Sequence, residues 1–204
     1  FEGDKGKNTG GMGAYSPSRL ESKELNEKIL EKIIEPTIKG LQNLNTNFIG
    51  FLYAGLMIKD GEIKVLEFNC RFGDPETQRI LLRLKSSLVE LCLAAINDEL
   101  ESHEIEWTEK HSCGVVIASQ GYPESYESNK LVSLPNNTES ETKLFHAGTK
   151  LSNGEVLTSG GRVFCATALA DNLKEAQAKA YNLVDQVSFE GAFCRRDIGF
   201  KGIK

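Results

Sequence analysis

The chain has 204 residues, 40% of them apolar and 26% charged, with a formal net charge of −5. This composition supports a packed core and excludes global disorder. The acidic balance argues against a dedicated nucleic-acid binder, which carries a basic excess. No apolar run approaches the roughly 18 residues of a membrane span, and no secretory leader is visible. At roughly 150 residues per domain, the length allows one large domain or two small ones.

Glycine is crowded at one end: five of the 19 lie within the first 13 residues. The first residue is Phe1, so the chain is expected to be the downstream part of a longer polypeptide. Residues 1–17 carry little apolar periodicity and read as loop. Within them, Asn8-Thr9-Gly10-Gly11-Met12-Gly13 offers backbone that can wrap an anion closely through its N–H groups. It matches neither the P-loop nor the dinucleotide fingerprint, because no strand precedes it. A flexible surface loop is the alternative.

From Ser22, Leu25, Ile29, Leu30, Ile33 and Ile34 recur at helical spacing. Pro36 is expected to end or kink that helix. Residues 48–58 are mostly apolar and suit a strand buried on both faces. Asp60-Gly61 is a tight-turn signal, and 62–69 follows as the second strand of a hairpin. A second helix is expected to start at Asp74-Pro75, with aspartate as cap and proline in the first turn. Its core stripe would run through Ile80, Leu81, Leu84, Leu88, Leu91, Cys92 and Ala95.

Residues 98–111 are charged and weakly periodic, and mark a junction with Trp107 as a packing anchor. Beyond it, Cys113–Ala118, Leu144–Leu151 and Arg162–Ala170 read as strands. Asn153-Gly154 is another hairpin turn. Asn172–Val187 reads as a helix with Leu173, Ala176, Ala180, Leu183, Val184 and Val187 inward. The organisation is therefore α+β, divided as 1–98, a junction at 99–112, and a small α+β domain at 113–204.

Chemistry concentrates at the end of the second predicted strand. Glu67 and Asn69 stand two residues apart, so both project from one face, with Leu66 and Phe68 turned into a core. A carboxylate and an amide oxygen are hard ligands that suit Mg²⁺. Arg71 shares their parity, and a guanidinium there can neutralise charge on a transferring phosphoryl group. Taken alone, Glu67 and Asn69 read more readily as solvated turn residues. Gly73 then permits a sharp turn, and Asp74-Pro75-Glu76 places acids at a helix N-terminus. That arrangement reads as a helix cap, as a pocket for a small zwitterion, or as both.

The other polar residues point to structure. His103 and His111 are expected to be solvated, and His146 to be a satisfied structural histidine. With no Ser/His/Asp or Cys/His pattern, nucleophilic catalysis has no support. The five cysteines are scattered and never form a C-x-x-C pair. They read as buried, reduced thiols of a cytosolic protein, and neither as a disulfide framework nor as a zinc cluster. Arg195, Arg196 and Asp197 read as a surface ion cluster.

Arg71-Phe72-Gly73-Asp74-Pro75-Glu76-Thr77-Gln78 fits the signature R-[LF]-G-D-P-E-x-Q, with Glu67-Phe68-Asn69 just ahead of it. Further blocks are 8–17, Tyr53–Met57, Phe145–Lys150, Gly160–Val163 and Cys194–Gly199. On these residues the chain resembles the C-terminal half of the glycinamide ribonucleotide synthetase (phosphoribosylamine–glycine ligase) family of ATP-grasp enzymes. The resemblance implies the C-terminal part of an ATP-grasp fold, an antiparallel sheet with helices, followed by a small α+β domain. It implies a cytoplasmic enzyme of purine biosynthesis that joins glycine to 5-phosphoribosylamine through a glycyl phosphate, consuming ATP. Glu67 and Asn69 would hold Mg²⁺ or Mn²⁺, and Arg71 would stabilise the transferred phosphoryl group. Asn8, Thr9, Gly10, Gly11, Met12 and Gly13, with Gly73, Asp74, Pro75 and Glu76, would help to form the substrate pocket. The upstream part of the same protein would be its partner, supplying the ATP-binding lysines and adenine site, with neither nucleic acid nor membrane involved.

Two departures from the resemblance stand out. Many ATP-grasp enzymes carry another acidic metal ligand on the preceding strand, where this chain has Ala54 and Gly55. Lys7 stands where many family members have proline. Two other readings remain: another ATP-grasp carboxylate–amine ligase or carboxylase, or a non-catalytic module that keeps the fold. The 71–78 signature argues against the first, and the intact Glu67, Asn69 and Arg71 give no hint of the second.

Overall fold

A computed structural model of the chain describes residues 1–136 and 139–203. The class is α+β, with antiparallel sheets and helices. The chain divides into two compact units. One comprises Phe1–Pro17, Asp74–Arg83 and the chain from Thr108 onward, the other Ser18–Gly73 with Leu84–Trp107. No helix among the described residues is long and apolar enough to cross a membrane.

The first unit is built on a five-stranded antiparallel sheet. Its strands are β1 (Gly13–Ser16), β4 (His111–Ser119), β5 (Thr142–His146), β8 (Arg162–Ala170) and β9 (Ala192–Phe193). β4 pairs with β8 along one edge, while β1 and β9 share its other edge. Period-two alternation sorts the side chains. Cys113, Val115 and Ile117 of β4, with Ala166, Ala168 and Ala170 of β8, enter one apolar cluster. Val116, Ala118 and Cys165 enter another with Met12.

Helix α5 (Leu173–Val184) covers the first face. Asn172 caps it, its side chain accepting from Glu175 N at 3.0 Å. All six residues predicted to face inward, from Leu173 to Val187, are buried. The four larger ones, Leu173, Leu183, Val184 and Val187, each contribute about 1.5–3 kcal/mol. Helix α3 (Glu76–Arg83) contacts β1, β4 and β8.

Several expectations change here. The last four residues of the predicted 1–17 loop that precede Pro17 form β1, because β4 offers them a free edge. Leu144–Leu151 is two strands, β5 and β6 (Thr149–Ser152). The chain bends at Gly148, where a Cβ would lie 2.6 Å from Gly160 Cα. β6 and β7 (Glu155–Thr158) form the hairpin expected at Asn153-Gly154, with φ of 51° and 83° in the turn.

The second unit contains helices α1 (Lys23–Ile29), α2 (Glu35–Asn43) and α4 (Leu88–Ile96) and the hairpin β2 (Tyr53–Lys59)–β3 (Glu62–Asn69). Ser22 caps α1 by accepting from Leu25 N at 3.1 Å. Pro36 does not end the helical run. A π-helical turn over Leu30–Ile34 precedes it, and the proline falls in the first turn of α2, where its missing N–H costs least. The Thr37 hydroxyl donates to Ile33 O at 2.6 Å.

The helix predicted from Asp74 through Ala95 breaks into α3 and α4. Leu84 leaves the helix to bridge Trp107, and Lys85 N donates to Glu106 O at 2.9 Å. Ser87 then caps α4 through Glu90 N, a serine cap signal that the apolar stripe obscured. Trp107 remains 44% exposed.

Asp60 and Gly61, with φ of 51° and 76°, make the predicted hairpin turn. The burial expected for 48–58 on both faces is not seen. Leu66 and Phe68, expected in a core, are exposed, as are Met57 and Val65. Among the described residues of its own unit, the two-stranded hairpin has no third strand beside it.

Candidate functional site

In the second unit, β3 carries Glu67 and Asn69 on one face, opposite Gly55 and Tyr53 respectively. Asn69 Nδ2 donates to Glu67 Oε1 at 3.1 Å, and Arg71 Nη2 donates to Asn69 Oδ1 at 3.3 Å. The three side chains thus form a hydrogen-bonded chain, as their parity predicts. Arg71 Nη1 also donates to Phe72 O at 2.9 Å. The Phe72 ring stacks on Phe51 with centroids 3.9 Å apart, which fixes the backbone just past the strand.

Glu67 and Arg71 are exposed and Asn69 is half-buried, so the cluster is open to solvent. Glu67 and Asn69 supply hard oxygen, the donor chemistry that Mg²⁺ and Mn²⁺ prefer. Among the described residues no group of three or more His, Cys, Asp or Glu is placed to hold a metal. A cation here would therefore complete its shell with water or phosphate oxygens, the usual habit of Mg²⁺.

In the first unit, the loop Asn8–Gly13 and the turn Asp74–Glu76 come together. A Cβ on Gly11 would lie 2.4 Å from Pro75 Cδ, so only glycine allows this approach. Arg162, the first residue of β8, binds both segments. Its Nη1 donates to Gly11 O at 3.0 Å and to Asp74 O at 2.8 Å, and its Nη2 to Asp74 Oδ2 at 2.8 Å. Asp74 Oδ1 accepts from Gln78 Nε2 at 3.1 Å. Asp74 thus joins the first turn of α3 to β8, a larger role than the predicted cap.

The loop is not simply a free anion nest. Gly10 N donates to the Tyr122 hydroxyl at 3.1 Å, and Met12 O accepts from Val116 N at 3.0 Å. Met12 is buried, Thr9 and Gly13 are half-buried, and Asn8, Gly10 and Gly11 are exposed. Lys7 pairs with Glu124. A cleft of about 680 Å³ opens beside the loop, lined by Thr9, Met12, Tyr122 and Phe193 among others.

Sequence reasoning missed three residues of this region. Arg162 sits inside a matched block, but nothing local says that it reaches Asp74. Tyr122 followed no periodic pattern. Arg79, on α3, is 1% exposed and lies against Gly114. A Cβ on Gly114 would be 3.2 Å from Arg79 Cγ. Burial draws the Arg79 guanidinium below its ordinary pKa, and its Nη1 has no hydrogen-bond partner among the described residues. A charged residue on a helix gives no sequence signal of this burial.

The remaining candidates are structural. His146 pairs with Thr149 Oγ1 at 3.0 Å and meets Phe164 edge-on, as expected. His103 is exposed, but His111 opens β4 with a buried Nδ1 that has no partner among the described residues. The Arg195–Asp197 pair is doubly hydrogen-bonded at 2.7–2.8 Å and ties in Asp4 and Gly3. All five cysteines are free, with Cys113 and Cys165 buried and Cys70 exposed.

The family model of the phosphoribosylglycinamide synthetase ATP-grasp (A) domain matches residues 1–77, and that of the phosphoribosylglycinamide synthetase C domain matches residues 112–201. Phosphoribosylamine–glycine ligase of Salmonella typhimurium is 53% identical over 205 residues, covering 99% of this chain and 48% of its own length. The ligase of Vibrio cholerae is 49% identical over 204 residues, with the same coverage of 99% and 48%. The crystal structure of phosphoribosylamine–glycine ligase from Thermotoga maritima superposes with a TM-score of 0.85 at 36% identity, over 96% of this chain and 48% of that one. Biotin carboxylase of Campylobacter jejuni shares the fold alone, with a TM-score of 0.61 at 13% identity over 93% of this chain and 42% of its own. The chain spans about half the length of the curated relatives it matches.

Proposed function

Because the chain belongs to the phosphoribosylglycinamide synthetase family, we propose that it forms part of an ATP-dependent ligase joining glycine to 5-phosphoribosylamine. The observation that carries this reading is the continuous stretch from Glu67 to Gln78. It sets two hard oxygen ligands, a guanidinium and an acidic turn within 12 residues of chain. Residues 1–98 belong to the ATP-grasp catalytic domain in this reading, 99–112 to the junction and 113–204 to the C-terminal domain. The enzyme works in the cytoplasm, on purine precursors.

In the reaction, a glycine carboxylate oxygen attacks the γ-phosphorus of ATP and ADP leaves. The phosphoribosylamine nitrogen then attacks the carbonyl carbon of glycyl phosphate. Phosphate leaves, and the amine gives up a proton. Glu67 and Asn69 would hold Mg²⁺ or Mn²⁺, whose charge screens the ATP phosphates. Arg71 stabilises the negative charge that gathers on the phosphoryl oxygens during transfer. The Asn8–Gly13 loop and the turn from Gly73 to Glu76 contribute to the pocket for glycine and the amine.

The exposed apolar face of the β2–β3 hairpin fits packing against upstream sequence of the same protein, where the adenine site would lie. Burying Leu66 and Phe68 alone would be worth a few kcal/mol. The test is ADP formation by the full-length protein with ATP, glycine and 5-phosphoribosylamine. Strict dependence on both co-substrates is expected, and ADP formation indifferent to either one sinks the reading. The 204-residue piece alone is expected to form no ADP.

A further inference from the structure

We propose that Arg162 is a positioning residue of the ligase, a clamp that holds the glycine-rich loop against the acidic turn; this rests on the functional reading above. The geometry is specific. The two N–H groups of Nη1 are used on two different segments, Gly11 O at 3.0 Å and Asp74 O at 2.8 Å. Nη2 takes the Asp74 carboxylate at 2.8 Å. One planar fork thereby fixes a carbonyl of the loop, a carbonyl of the turn and the turn's only carboxylate before Glu76.

The surroundings are shaped around this fork. A Cβ on Gly10 would lie 2.9 Å from Arg162 Cζ and 3.2 Å from Nη1, and a Cβ on Gly11 would strike Pro75. Glycine at both positions is thus a requirement of the clamp, in addition to any role toward an anion. The base of Arg162 is itself fixed. Gly148 N donates to its carbonyl at 2.8 Å, and its strand pairs with β4. Its side chain is 22% exposed and that of Asp74 49%, so the fork is shielded while the carboxylate still meets water. Lysine cannot replace it, because a single ammonium lacks the planar fork needed to serve three acceptors on two segments.

Arg162 needs no contact with the reacting atoms to matter. A displacement of about 1 Å in a positioned group can cost roughly 100-fold in rate. The clamp acts on the side that would receive glycine and the amine. Its loss is therefore expected to raise KM for those substrates while leaving KM for ATP nearly unchanged.

The test uses the full-length enzyme with Arg162→Met, Arg162→Lys and Asp74→Asn. Arg162→Met is expected to raise KM for glycine or phosphoribosylamine, and to lower kcat/KM by about 10- to 100-fold. Arg162→Lys is expected to recover little of it. The double variant with Asp74→Asn should lose less than the product of the single effects, because the two residues share one interaction. In parallel, hydrogen exchange of the Gly10–Gly13 amides should accelerate in both Arg162 variants, while α5 stays protected. Unchanged KM for both substrates with unchanged exchange overturns the clamp. So does a rise in KM for ATP equal to that for glycine, or full recovery by lysine. If the wild-type protein forms no ADP with these substrates, the functional reading falls, and the exchange pattern alone decides whether Arg162 orders the loop.

Discussion

Glu67 lies directly across the hairpin from Gly55, and a Cβ added at Gly55 would come within 3.1 Å of Glu67 Cγ. The absent side chain at 55 leaves room for the Glu67 carboxylate and supplies no second acid. In our reading Glu67 is therefore the sole carboxylate that β2–β3 offers to the cation, and Asn69 adds a neutral oxygen. Glu67→Gln keeps the shape and removes the charge. We expect Mn²⁺ affinity and kcat of the full-length enzyme each to fall at least roughly 10- to 100-fold, the cost of losing even an outer-sphere partner of a metal. Metal titration with turnover measurements checks this. Unchanged metal dependence would remove Glu67 from the site.

Two glycines should respond oppositely to alanine. Gly11→Ala would push a methyl group to 2.4 Å from Pro75 Cδ, so the loop or the turn must shift. We expect a loss of about 1–3 kcal/mol in stability, with weaker glycine binding. Gly40 lies inside α2 with nothing within 4 Å of its Cβ position. Gly40→Ala should stabilise the protein by about 0.5–1 kcal/mol through helix propensity. Paired urea denaturation of the two variants settles both signs.

What the sequence made legible was local. The Asp60-Gly61 and Asn153-Gly154 turns, the bounds of β8, the inward face of α5 and the shared face of Glu67 and Asn69 all follow from short-range rules of periodicity and turn chemistry. What stayed hidden depends on residues far apart in the chain. β1 exists because β4 lends it an edge, and Asp74 is held by a residue 88 positions away. Arg79 is buried because Gly114 leaves room for it. The exposed faces of Leu66 and Phe68 show the same limit from the other side. Alternation told which residues share a face, and could not tell what that face meets.

The cysteines give a kinetic test of the first unit's packing. Burial pushes the Cys113 thiol up to about 12 and raises that of Cys165. Both therefore lack thiolate at neutral pH and lie out of reach of solvent. Cys70 is exposed. Alkylation of the native protein at pH 8, followed by peptide mass analysis, should label Cys70 in minutes. Cys113 and Cys165 should react only as fast as the unit opens. Rapid labelling of Cys113 would contradict the packing described for β4 against α5.

The Arg195–Asp197 pair sets an acid limit. The Arg195 guanidinium, followed by hydrogen bonds from backbone N–H groups including that of Gly3, brings Asp197 from 3.8 down to about 2. A carboxylate whose folded pKa is depressed contributes stability that is fully present above its unfolded pKa. That contribution is lost as pH falls through the folded value. The window therefore runs from about pH 4 down to about pH 2. The pair's contribution is on the order of 1–2 kcal/mol, reduced by its partial exposure to water. Asp197→Asn should lower the urea midpoint at pH 7, and its stability should fall less steeply than wild type between pH 4 and 2. Wild type and variant should converge at the acid end. A constant gap at every pH would mean that Asp197 supports the fold through shape, with its charge contributing nothing.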